Sequence, residues 1–136
     1  MDPWILLIIV AIAAAVLLPM RLSRVDPQRA QQLVASGATL LDVRSAAEYA
    51  AVHLPGAQLL PLRQFSTAKL AVLDPTHPVI VYCASGARSA LAARSLRRAG
   101  YSKVYDLGSI SRWPTAERSS TVAMPAVLGP GDESVH

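Results

Sequence analysis

The sequence predicts an α/β domain with a central, mainly parallel sheet and helices on both faces, preceded by one transmembrane helix. Two observations carry the first part. Short aliphatic runs alternate with helical stretches between residues 25 and 114, and Gly or Pro punctuates most of the joins. The third observation is compositional. The chain is 52% hydrophobic over 136 residues, and the excess is concentrated in the first twenty.

The elements follow in order. Trp4 to Met20 is an apolar run without a charge, about 26 Å long as a helix against a hydrocarbon core of about 30 Å. Trp4 suits one interface, and Arg21 and Arg24 suit the headgroups at the other. No Lys or Arg precedes the run. A secretory signal would want a positive start, so a retained single-pass anchor is favoured, with the domain facing the cytoplasm. The alternative is export after cleavage, which the stretch Ala11–Ala15 keeps open. Residues 1–24 are thus expected to be anchor and juxtamembrane linker, 25–114 the domain, and 115–136 a disordered tail of small residues, Ser, Pro and Gly.

Within the domain, Asp26 caps a helix over 28–36 that starts on Pro27 and stops at Gly37. Residues 39–43 read as a strand. Ser45 with Glu48 three residues on gives the pattern of a capping box for a helix over 45–51. Leu59 and Leu60 fit a brief strand, residues 64–73 an amphipathic helix, and 79–82 the clearest strand. Residues 89–99 read as a helix ended by Gly100, and 104–107 as a further strand.

The chemistry concentrates at the end of the clearest strand. Cys83 is the only cysteine, so no internal disulfide exists, and it heads a loop of small residues that runs into a helix start. Ligands of open α/β sheets gather at the carboxyl ends of strands. Free N–H groups at a helix start favour an anion, and such surroundings favour thiolate over thiol. Ala84, Ser85, Gly86 and Ala87 put little side chain in the way, and Arg88 follows.

The loop Cys83-Ala84-Ser85-Gly86-Ala87-Arg88-Ser89 resembles the active-site loop of rhodanese-like sulfurtransferases. Leu41-Asp42-Val43-Arg44 with Glu48-Tyr49, His53-Leu54-Pro55-Gly56-Ala57, and Tyr105-Asp106-Leu107-Gly108 with Trp113 resemble that family's flanking blocks. Together they cover about residues 25–114. Two positions depart: Val52 where Gly usually precedes the His, and Ser109 where a second Gly is common. The resemblance implies a three-layer rhodanese-like domain in which Cys83 carries a persulfide. Backbone N–H groups of Ala84, Ser85, Gly86, Ala87, Arg88 and Ser89 would hold the sulfur anion, and Arg88 would close the loop. It also implies a small anionic donor such as thiosulfate, a thiol, protein or cyanide acceptor, and no cofactor.

Other residues are weighed against plainer roles. Arg44 and Glu48 are four apart and are expected to pair. Asp42 is expected to bond loop amides, and His53 to serve as a hydrogen-bonded scaffold beside a turn. Neither His nor acidic residues cluster in a metal-binding pattern, so no metal is expected. A net charge of +4 without a dense basic run gives no reason to expect nucleic acid; lipid is the expected partner of residues 4–20. Cysteine phosphatases resemble this layout but place five residues between Cys and Arg. Here four intervene, a smaller cradle suited to a single sulfur. The remaining alternative is an interaction or sulfur-relay module at the membrane with little activity on thiosulfate.

Overall fold

The computed structural model describes residues 2–71 and 73–114, so the expected tail over 115–136 lies outside the described residues. Four strands form one sheet: β1 (Thr39–Asp42), β2 (Gln58–Leu59), β3 (Val79–Cys83) and β4 (Val104–Ser109), in the order β2-β1-β3-β4 and all parallel. Among the described residues, five α-helices accompany them: α1 (Pro3–Leu22), α2 (Pro27–Ala35), α3 (Ala46–Ala51), α4 (Thr67–Leu70) and α5 (Ala87–Arg98).

Side-chain alternation along the strands explains why the sheet is covered on both faces. Val79, Val81 and Cys83 of β3 point into one core with Leu41, Ala92, Ala93 and Leu96, the layer of α4 and α5. Ile80 and Tyr82 point into the other with Leu40, Ala30 and Trp113, the layer of α2. All five residues of β3 are buried, as befits the inner strand of a parallel sheet.

Local sequence chemistry sets the helix starts. Asp26 caps α2 by accepting from the N–H groups of Gln28 and Arg29, and Pro27 occupies the first position. Ser45 and Glu48 form the expected capping box of α3. The expected helix over 64–73 is corrected. Residues Leu62–Gln64 form a 3-10 turn after Pro61, and Ser66 then caps the single-turn α4. The N-cap interrupts the segment because its hydroxyl draws off the Lys69 N–H.

The anchor expectation is also revised. No helix among the described residues is long and apolar enough to cross a membrane. α1 forms over twenty residues, but Arg21 lies in its last turn. Its described apolar side chains run from Pro3 to Pro19, about 26 Å of axis, short of a core of about 30 Å. Nor does Arg24 extend toward headgroups. It pairs as a β-bridge with Asp106, and its guanidinium packs against Gly86 and Gly108.

Candidate active site

Because the sheet is parallel, β1, β3 and β4 bring their carboxyl ends to one edge. Cys83 is the last residue of β3 and is fully buried. The loop after it turns at Gly86, whose φ of +102° favours glycine. That turn swings the Gly86 N–H back onto the Cys83 Sγ at 2.9 Å. α5 starts on the next residue, two earlier than the sequence suggests, because Gly86 serves as its N-cap. Of the expected cradle over Ala84, Ser85, Gly86, Ala87, Arg88 and Ser89, it is the Gly86 amide that donates to the sulfur. Ala84, Ser85 and Ala87 are exposed. Ser89 is buried, and its hydroxyl donates to the Gly86 carbonyl at 3.1 Å. A bond that sequence reading missed comes from β4. The Ser109 hydroxyl donates to the Ala84 carbonyl at 2.6 Å, so this departure from the family pattern ties strand to loop.

The charged residues pair differently from the expectation. Glu48 accepts from both terminal nitrogens of Arg88, at 2.7 and 3.0 Å. Arg88 and the Ser45 cap hold the Glu48 carboxyl well down, from 4.5 to about 2, and the same ion pair raises Arg88. Arg44 does not reach Glu48. It precedes the cap of α3, so helical i,i+4 geometry does not apply to it. Its guanidinium lies instead on Asp42 at 2.7 Å and on the Val52 carbonyl at 2.6 Å. Burial works against the Arg44 charge, but the bonds and charge of Asp42 hold it above its ordinary value.

Asp42 is buried and, as expected, accepts from a loop amide, the Arg44 N–H, and it also bonds the Arg44 side chain and the Tyr82 hydroxyl. Tyr82 in turn accepts from the Leu54 N–H at 3.1 Å, and burial together with Asp42 pushes its phenol up. The hydrogen bond expected of His53 is present. Its Nδ1 lies 2.8 Å from the Tyr49 carbonyl, and its ring stacks on Tyr49 at 3.8 Å between centroids.

A cleft of about 360 Å³ opens beside the loop, lined by Val43, Arg44, Ser45, Pro61, Leu62, Arg63 and Arg88. Arg88, just after the thiol loop, is the residue of α5 on the cleft wall. Arg63 was not singled out from sequence. It lies in a stretch with no recognisable motif, and only the fold brings it near Arg88.

Comparison with known proteins agrees with this layout. Residues 26–116 match the rhodanese-like domain family. The chain is 35% identical over 99 residues to a thiosulfate sulfurtransferase GlpE of Pseudomonas fluorescens, covering 72% of this chain and 90% of that protein. It is also 35% identical over 95 residues to the probable adenylyltransferase/sulfurtransferase MoeZ of Mycobacterium tuberculosis, covering 67% of this chain but only 24% of MoeZ. Among solved structures, the human single-domain sulfurtransferase TSTD1 superposes with a TM-score of 0.57 at 28% identity, covering 67% of this chain and 94% of that one. A parallel sheet ending on a thiol loop, matched over nearly the whole domain, places this chain in the rhodanese-like domain family.

Proposed function

We propose that this chain is a sulfurtransferase in which Cys83 carries the sulfur. The thiolate of Cys83 attacks the outer sulfur of a donor such as thiosulfate. The donor's S–S bond breaks, its electron pair leaves with sulfite, and a persulfide remains on Cys83. A thiol or cyanide then attacks the terminal sulfur and releases the Cys83 thiolate. The scheme is covalent catalysis in two half-reactions, with ping-pong kinetics expected. The observation that carries it is the Gly86 N–H on the Cys83 sulfur at the start of α5, where amide and helix dipole favour an anion. Arg88 on the cleft wall is paired with Glu48, so Arg63 on the same wall supplies the cation for an anionic donor.

Treating the protein with thiosulfate is expected to add about 32 Da, the mass of one sulfur on the cysteine ladder, and cyanide is expected to remove it. Continued thiosulfate turnover by Cys83→Ser would refute the proposal. The full burial of Cys83 favours a second reading, a sulfur-relay or interaction module with little thiosulfate activity. Persulfide uptake from a protein donor without turnover of thiosulfate would select it.

The proposal extends to location: α1 lies in a membrane and the domain faces the cytoplasm. Trp4, Leu7, Ile12 and Leu18 are each more than half exposed, an arrangement suited to lipid rather than water. A modest thinning of the bilayer accommodates a short apolar helix. Arg21 follows the run, which supports the cytoplasmic side for the domain. Reporters fused to the C-terminus test this: the cytoplasmic one should be active, and activity of the external one would reverse the assignment.

A further inference from the structure

We propose that Arg24 is a positioning residue for the sulfur loop, its guanidinium lying across Gly86 and Gly108 and holding the Gly86 amide on Cys83. A methyl group built on Gly86 would collide with Nη2 of Arg24 and lie 2.9 Å from its Cζ. One built on Gly108 would lie 2.8 Å from Nε, 3.0 Å from Cδ and 3.2 Å from Cζ. The same plane therefore covers a loop residue and a residue of β4, and both sites have room for hydrogen alone. The Arg24 backbone is fixed to Asp106, whose carbonyl accepts from the Val25 N–H at 2.8 Å, so the side chain reaches over from a defined base.

The Nε of Arg24 is buried without a hydrogen-bond partner. Burying a cationic donor unpaired is unfavourable, so hydrogen bonding at Nε does not explain the placement. Two things remain that offset the cost: close contact of the flat guanidinium with the glycine backbones, and a positive charge beside the amide that holds the sulfur. Gly86 N–H sits 2.9 Å from Sγ, and a shift of that peptide would lengthen the bond. Arg24 also lies two residues beyond the last residue of α1, so the segment leaving that helix reaches the thiol loop directly.

This inference rests on the reading of Cys83 as the sulfur carrier, but its test needs no sulfur donor. In the full chain in detergent, the rate of iodoacetamide alkylation of Cys83 at pH 7 is read by mass. Because Cys83 is fully buried, alkylation needs the loop to open, so the rate is expected to rise about fivefold in Arg24→Ala, the scale of one weakened hydrogen bond, while the melting temperature stays near that of the wild type. Should Arg24→Ala not fold, Arg24→Lys, which keeps the charge but not the plane, carries the same measurement. An unchanged alkylation rate overturns the proposal.

A double-mutant cycle with Gly108→Ala gives an independent check. The backbone strain of an Ala at φ +84° is common to both backgrounds and cancels. The clash with Arg24 does not, so Gly108→Ala is expected to lower the melting temperature less when Arg24 is already Ala. Additive shifts would overturn the packing on which the proposal stands. A wild type that alkylates readily yet accepts no sulfur would refute the sulfurtransferase reading and leave the role of Arg24 intact.

Discussion

At the scale of single residues, Asp42 and Tyr82 show how much of the site is support. Asp42 is fully buried and balances the buried Arg44, while Tyr82 bridges Asp42 to the Leu54 N–H. Removing one partner of a buried ion pair costs about 3–5 kcal/mol, because a charge is left without its counter-ion. Asp42→Ala is expected to cost that much in denaturant unfolding. Tyr82→Phe leaves the ion pair intact but strands the Leu54 N–H, and about 1–3 kcal/mol is expected. If Tyr82→Phe proved the more damaging, charge balance would not be the role of Asp42. The support role was legible in part: position and burial could be read from the strand, but the partners could not. Asp42 and Tyr82 are forty residues apart, and nothing in either segment names the other.

At the scale of elements, the bond between Glu48 of α3 and Arg88 of α5 joins the helix after β1 to the helix after β3. The Glu48 carboxyl is held below its ordinary value, so the contribution is fully present above pH 4.5 and is lost as pH falls toward about 2. Acid titration of the melting temperature is expected to show this decline, and Glu48→Gln to flatten it. An Ala inserted between Ala87 and Arg88 tests the same joint differently. Because α5 begins at Ala87, the insertion turns Arg88 by about 100° around the helix and away from Glu48. Sulfur transfer is expected to drop, and unchanged kinetics would show that the Arg88 placement is not needed. The sequence reading paired Glu48 with Arg44 because i,i+4 spacing is visible along a chain and contact across forty residues is not. The strands were readable as short aliphatic runs bounded by turns, β3 most clearly because Val79, Ile80 and Val81 are β-branched. The stretch 61–73 was not, because a 3-10 turn and a four-residue helix leave too short a period to detect.

At the scale of the whole molecule, the packed domain begins around Arg24 and does not depend on α1 for its two cores. Removing residues 1–22 is expected to leave a cooperatively melting protein that no longer sediments with membranes. A truncated protein that still sediments would assign membrane attachment to the domain surface instead.

The order of the strands has a consequence in time. β4 is the last of the described strands and forms the outer flank of β3, and it supplies both Ser109 to the loop and Gly108 beneath Arg24. During synthesis, a nascent chain that ends before Val104 holds Cys83 but has one side of β3 unpaired and no finished loop. Domains are made N-terminus first, so the thiol emerges well before the structure that shields it. For that interval Cys83 is an ordinary accessible thiol on an open strand edge, and the newborn protein is at its most vulnerable to oxidation and to mispairing with a neighbouring chain.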